Sequence, residues 1–134
     1  MRLLHEPADD ADDRSSGADH DRRVLATTVD TAETVLSRAR GLMFRRSIPT
    51  DYALVFRFDA VDYRDVHMVF VPFPIDALWL IDGEVVAQKR LRPWIGLGGA
   101  EADTLIELPA GATADVSVGD RIVLEDDGEE AITP

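Results

Sequence analysis

The chain has 134 residues and carries 26 acidic against 14 basic side chains, which gives a formal net charge of −12. It contains no cysteine, so disulfides, thiolate nucleophiles and cysteine-ligated metal centres are excluded. The length suits one domain and is short for two.

The acidic surface has an unusual composition, because only one basic residue, Lys89, is a lysine. Acid-rich, lysine-poor chains are expected where concentrated salt screens self-repulsion, which predicts a halophilic source; an ordinary acidic cytosolic protein is the alternative. The same charge opposes binding to nucleic acid. No apolar run reaches membrane-spanning length and the first 22 residues lack the apolar segment of a secretory signal, so we expect no membrane partner and a cytoplasmic location.

Composition divides the chain into three parts. Residues 1–22 are acidic and largely lack big apolar side chains, which predicts a disordered tail that cannot offset its ordering entropy. Residues 23–125 alternate apolar runs with turn signals and are expected to form the folded domain. Residues 126–134 predict a second disordered tail.

The first elements of the predicted domain are a strand and a helix. The segment RVLATTV is typical of a strand, and Asp30 with Glu33 offers a helix N-cap and its capping-box partner. Apolar residues at three- and four-residue spacing predict a helix from Thr31 to about Arg40, and Gly41 is placed to end it.

The rest of the domain is predicted to be β. The segments YALVFRF, YRDVHMVFV, IDALWLI, TLIEL and RIVLE have the alternating or continuous apolar pattern of strands. Asp82-Gly83 predicts a two-residue hairpin of type I′, and residues 92–103 predict a long surface loop. The expected fold is mostly β with one main α-helix, arranged as a single compact β-barrel or jelly-roll-like sandwich.

Asp76 is a carboxylate inside the apolar run HMVFVPFPIDALWL. An unpaired charge there would cost several kcal/mol, so Asp76 needs a cation or several N–H donors. The cluster Arg40, Arg45 and Arg46 offers bidentate guanidinium partners. We favour a structural ion pair or a turn-capping role over a ligand-facing one.

Other polar residues indicate weaker candidates. Asp65 and His67 project to one strand face, but a partly buried, hydrogen-bonded histidine is favoured over a catalytic one because the chain offers no nucleophile context. We assign no catalytic residue, metal or cofactor. Glu107 and Asp120 flank turns and are interpreted as backbone-capping acceptors, and Trp94 as a pin for its loop or a side chain at a pocket mouth.

Four motifs in order resemble the family known as domain of unknown function 192. They are RGLMFR from Arg40 to Arg45, Met68 with Pro74-Ile75-Asp76, ELPAG from Glu107 to Gly111, and Gly119-Asp120. The family usually has Trp, Lys and Asn where this chain has His67, Val69 and Phe70. The resemblance covers about residues 23–124 and implies a mostly β domain, without an established activity. With the salt-adapted composition, it predicts a haloarchaeal member.

The sequence is compatible with three functions. The first is a non-enzymatic module that binds a small molecule or peptide in a pocket bordered by Arg40, Arg45, His67 and Asp76. The second is an enzyme that uses His67 or Asp76 as general acid or base. The third is a structural or protein-interaction domain with an exposed apolar patch. The oligomeric state is left open.

Overall fold

The structure is a computed structural model that describes residues 1–8, 22–32 and 41–125. These residues form eight strands: β1 (Arg2–Glu6), β2 (Arg23–Ala26), β3 (Thr28–Ala32), β4 (Tyr52–His67), β5 (Ile75–Ile81), β6 (Glu84–Leu91), β7 (Leu97–Pro109) and β8 (Arg121–Glu125). They belong to one sheet with the order β2-β1-β8-β6-β5-β7-β4-β3. The predicted fold class is therefore wrong in two respects. The sheet is open rather than a closed barrel, and the described residues contain no α-helix.

The predicted helix is replaced at its start by an edge strand. Thr31 and Ala32 belong to β3, which pairs in parallel with β4. Asp30, the expected N-cap, instead accepts a hydrogen bond of 2.9 Å from the Tyr52 hydroxyl. The β-branched residues of this segment favour a strand, and β4 supplies the backbone partners. Residues 33–40 of the predicted helix lie outside the described residues.

A second difference concerns the start of the chain, inside the range predicted to be a disordered tail. Arg2–Glu6 form β1, which pairs with β8 on one side and β2 on the other. Leu3, Leu4 and His5 are buried, so this short stretch has enough apolar surface to be ordered when β8 is beside it. Residues 9–21 of the predicted tail and 126–134 lie outside the described residues.

The core occupies both faces of the central strands. β7 lies between β4 and β5, and alternate β7 residues contribute to different apolar clusters. Leu105 packs in one cluster with Phe56 and Trp79, whereas Ile106 and Leu108 pack in the other. Because strand side chains alternate, Glu107 is on the face of Leu105 and Asp76 on the opposite face.

Two turn and loop predictions have different outcomes. The Asp82-Gly83 hairpin between β5 and β6 is confirmed, with φ values of 53° and 84° at its two central residues. The predicted loop is too long, because β7 already begins at Leu97. The Tyr63 side chain lies across this part of β7, since a Cβ at Gly99 would be 2.2 Å from its hydroxyl.

No helix in the described part of the chain has the length and apolar character needed to cross a membrane.

Candidate functional site

A cavity of about 310 Å³ opens on the sheet face that carries Leu105 and Glu107. Its walls come from the turn after residue 40, from both halves of β4, and from β5 and β7. Most of the lining is apolar: Leu42, Met43, Phe56, Phe58, Val66, Met68, Val71, Ile75 and Leu105. The polar residues of the lining are Tyr63, Arg64, Asp65, His67 and Glu107. An apolar cavity with a few convergent polar groups has the general composition of a small-molecule site.

Glu107 is the buried polar group of this cavity. Only 6% of its surface is exposed, and its carboxylate faces the cavity without accepting a hydrogen bond from another described side chain or backbone group. Burial raises the pKa of Glu107 to about 7, although the positive charge of Arg45 opposes the shift. Near neutral pH the side chain can therefore be either a hydrogen-bond donor or an anion.

The turn from Gly41 to Met43 brings backbone close to this carboxyl group. Gly41 has φ = 51°, and a Cβ there would lie 3.8 Å from Glu107 Oε1 and 3.5 Å from the Phe56 ring. Arg45 follows the turn and lies over the Tyr52 ring, with its guanidinium carbon 5.1 Å from the ring centroid. The predicted candidate Arg45 thus contributes its charge to the site, whereas Arg40 lies outside the described residues.

Asp65 and His67 lie at the exposed rim of the cavity. Both residues line it, but their side chains form neither a hydrogen bond nor an ion pair with each other within the described ranges. The His67 Nδ1 atom accepts a hydrogen bond of 3.3 Å from the Val69 amide. His67 is therefore available at the entrance, and it is not the partly buried residue that was expected.

Asp76 is buried on the other face of the sheet and does not line the cavity. Its Oδ1 accepts a hydrogen bond of 2.8 Å from Arg90 Nε. Its Oδ2 accepts hydrogen bonds from the Gly111 amide at 2.9 Å and from the Thr113 hydroxyl at 2.8 Å. The predicted pairing with Arg45 or Arg46 is wrong, because the cation is Arg90, directly opposite on β6, while Arg40 lies outside the described residues. Burial alone would raise the pKa of Asp76, but Arg90 and the donors of the turn lower it overall.

Asp120 also serves the fold. Its carboxylate accepts backbone hydrogen bonds from Ala8 and Ser117, in agreement with the turn-capping interpretation. It also contacts His5, with Nε2 and Oδ2 separated by 2.7 Å inside the protein. The pair ties β1 to the turn before β8. The other ring nitrogen of His5, Nδ1, is buried without a hydrogen-bond partner.

Glu107 is the residue that sequence reasoning missed, because its position before Pro109 favoured a turn-capping role. A usable signal was present. In TLIEL, Glu107 interrupts an apolar run and shares the strand face of Leu105, which is the pattern that singled out Asp76. Among residues 1–8, 22–32 and 41–125, no three acidic or histidine side chains are grouped closely enough to hold a metal ion.

The sequence matches the DUF192 family, which is described as an uncharacterized ACR, over residues 17–124. The chain belongs to the DUF192 family. The match confirms the family resemblance drawn from the four motifs, while the haloarchaeal source stays a prediction. No curated protein matches this DUF192 chain.

Two solved structures share its fold. One is a proposed transcription regulator from Sinorhizobium meliloti, with a TM-score of 0.73, 24% identity, and coverage of 91% of this chain and 92% of the other. The second is a protein of unknown function from Novosphingobium aromaticivorans, with a TM-score of 0.74, 18% identity, and coverage of 92% and 84%. At these identities, the two solved structures establish the fold and no activity.

Proposed function

We propose that the protein is a non-enzymatic binding module that takes a small molecule, or one side chain of a peptide, into the Glu107 cavity. The observation that carries this proposal is the buried carboxyl group of Glu107, which faces an apolar cavity without a hydrogen-bond partner among the described residues. A hydrogen bond from a bound donor to this carboxylate would contribute about 1.5–3 kcal/mol, because the acceptor is charged.

The chemistry of the lining suggests what the ligand carries. Its apolar body would pack against the walls around Phe56 and Met68, and an ammonium or N–H donor would meet Glu107. The volume of about 310 Å³ is at the small end for ligand sites, which favours a compact ligand.

The experiment is an NMR and thermal-shift titration with benzylamine and with the neutral isosteres toluene and benzyl alcohol. We expect benzylamine to shift resonances of the cavity lining, with affinity that increases as Glu107 ionises. Glu107→Gln should lower the affinity for benzylamine at least tenfold, because one charge-assisted hydrogen bond is lost. Glu101→Gln is the matched control, because Glu101 is an exposed glutamate on the same strand. Failure of all three probes to perturb the cavity would contradict the proposal.

A second candidate is acid–base catalysis in the same cavity. It is favoured by the pKa of Glu107 near 7 and by His67 at the rim, which are suited to proton transfer at neutral pH. Asp76 has no part in it, because its carboxylate is on the other face. Ring opening of benzisoxazole, in which a base removes the ring C–H proton as the N–O bond breaks to give a cyanophenolate, is a direct test: acceleration by wild type, but not by Glu107→Gln, would favour the enzyme over the binding module.

A further inference from the structure

Three aromatic side chains from three separate turns meet on the protein surface. The rings of Phe44 and Phe70 stack with centroids 4.8 Å apart, and the Trp94 ring meets Phe70 edge-on at 6.1 Å. Their exposed fractions are 61%, 45% and 53% respectively, and the neighbouring Ile95 is 69% exposed. We call Phe44, Phe70, Trp94 and Ile95 the aromatic patch.

The backbone holds these rings in place at an energetic cost. Phe44, Phe70 and Trp94 have φ values of 71°, 63° and 67°, in a region that bulky side chains rarely adopt. The conformation is secured by hydrogen bonds between the turns, from the Phe44 amide to the Phe70 carbonyl at 2.9 Å and from the Trp94 amide to the Val71 carbonyl at 3.0 Å. Such strain persists only where the surroundings impose it, and it is concentrated at functional sites.

The patch is also a cationic region of an acidic protein. The segments 41–50, 66–75 and 86–100 contain no Asp or Glu, although the whole chain has 26. Arg46 and Arg92 are exposed beside the aromatic residues, and the Lys89 ammonium donates to the Leu97 carbonyl at 2.6 Å. Exposed apolar groups are thus combined with positive charge, and acidic groups are missing from these three segments.

We propose that the aromatic patch docks the protein on the surface of an anionic lipid bilayer. Trp and Phe with flanking arginines suit the headgroup layer, where rings enter the acyl boundary and guanidinium groups meet phosphate. The Glu107 cavity includes no residue of the patch, and the three rings are 45–61% exposed, so a deformable partner fits the patch better than a peptide that enters that cavity. Docking of this kind needs no membrane-spanning segment, so the proposal departs from the expectation of no membrane partner, which was drawn from the lack of such a segment.

Other partners fit the patch less well. A second copy docked patch to patch would bring its own arginines against Arg46 and Arg92, which is unfavourable. Single-stranded nucleic acid would stack on the rings, but it would gain little from the aliphatic Ile95 and Leu97, the most exposed large apolar side chains described. The net charge of −12 does not prevent docking, since charges farther than about 10 Å are largely screened at 0.1 M salt.

The two tryptophans make a direct test possible. Trp94 is 53% exposed, whereas Trp79 is 1% exposed and donates to the Arg64 carbonyl, so only Trp94 should respond to lipid. Vesicles of phosphatidylcholine and phosphatidylglycerol in equal parts should shift the emission of wild type to shorter wavelength, and brominated lipid should quench it. Trp94→Phe should lose both responses while still sedimenting with the vesicles.

Variants of the patch identify the binding surface. Phe70→Asn should fold at least as well as wild type, because Asn tolerates positive φ, and its partitioning into mixed vesicles should decrease about tenfold. Ile95→Ser should have a similar effect, and Arg46→Gln and Arg92→Gln should each decrease partitioning about fivefold. Val118→Ser is the matched control, because Val118 is 59% exposed in the turn before β8, outside the patch.

Four results would overturn the proposal. They are failure of wild type to bind the mixed vesicles, equal binding to phosphatidylcholine alone, unchanged binding by Phe70→Asn and Ile95→Ser, and a patch-dependent dimer or oligonucleotide complex formed without vesicle binding.

Discussion

At the scale of single residues, two buried carboxylates have opposite roles because their surroundings differ. Asp76 accepts hydrogen bonds from Arg90, Gly111 and Thr113, which together stabilise its charge. Glu107 has no such donor in the described residues and is held in an apolar wall. Asp76 therefore connects its strand and β6 to the turn at Gly111, whereas the Glu107 carboxylate can still accept a hydrogen bond from a ligand.

Asp76→Asn should destabilise the fold by about 3 kcal/mol, because a buried amide cannot accept from all the donors that the carboxylate satisfies. Chemical unfolding would measure the change. Arg90→Gln is the control and should cost at most about 1 kcal/mol, since the Arg90 side chain is 57% exposed and solvent screens it. An Asp76→Asn variant as stable as wild type would show that this network is not needed.

The same variant has a defined pH dependence. The pKa of Asp76 is lower in the folded state than its unfolded value of 3.8, so its ionised form adds stability above that value. This contribution is lost as pH falls through the folded pKa. The difference in unfolding free energy between wild type and Asp76→Asn should therefore narrow in acid, and a constant difference would contradict the assignment.

Glu107→Gln should have the opposite pH dependence. The folded pKa of about 7 exceeds the unfolded value of 4.5, so the folded state retains a proton between them and wild type loses stability as pH rises through that interval. The variant carries no charge at this position, so its free energy of unfolding should exceed that of wild type by up to about 3 kcal/mol at alkaline pH. In acid the two should differ little. Melting curves across this range would measure the gain, with Glu101→Gln as an exposed control.

At the scale of elements, short turns decide where the long strands begin. The turn before β7 brings its last residue, Gly96, against the backbone of Arg92, and a Cβ at Gly96 would lie 2.6 Å from the Arg92 nitrogen. The Gly96 amide donates to the Arg92 carbonyl, and its own carbonyl accepts from Met68. One glycine therefore joins the patch turn to the end of β4.

Gly96→Ala should destabilise the protein by about 2 kcal/mol or more, because a backbone atom and not a flexible side chain would have to move. Gly111→Ala is the comparison: nothing lies within 4 Å of a Cβ there, so it carries only the strain of its φ of 97°. Thermal melts should place Gly96→Ala below Gly111→Ala, and the reverse order would contradict the close-approach account.

At the scale of the whole molecule, the net charge of −12 disfavours the compact state. Unfolding midpoints should rise as sodium chloride increases from low to molar concentration, because screening reduces self-repulsion. Near the isoelectric point of about 4.5 the effect should become small, which separates charge screening from a general salt effect. A midpoint that is flat or falls at neutral pH would contradict the salt-adaptation hypothesis.

Local patterns determined several features without any knowledge of the fold. The Asp82-Gly83 turn could be predicted because a type I′ turn needs positive φ at both central residues, which this pair tolerates. The alternation around Phe56 and the continuous apolar run around Trp79 identified core strands, and the four motifs identified the family. These signals lie within a few residues of each other, so they do not depend on distant partners.

Tertiary structure alone decided the rest, because it depends on partners far along the chain. β3 is a strand because β4 lies beside it, and β1 is ordered because β8, more than a hundred residues later, pairs with it. Alternation places Glu107 and Asp76 on particular faces of their strands, but it cannot say what covers each face. The turn at Gly111 brings donors to Asp76, whereas Glu107 is left facing a cavity, and that difference in long-range packing separates a structural carboxylate from a candidate binding group.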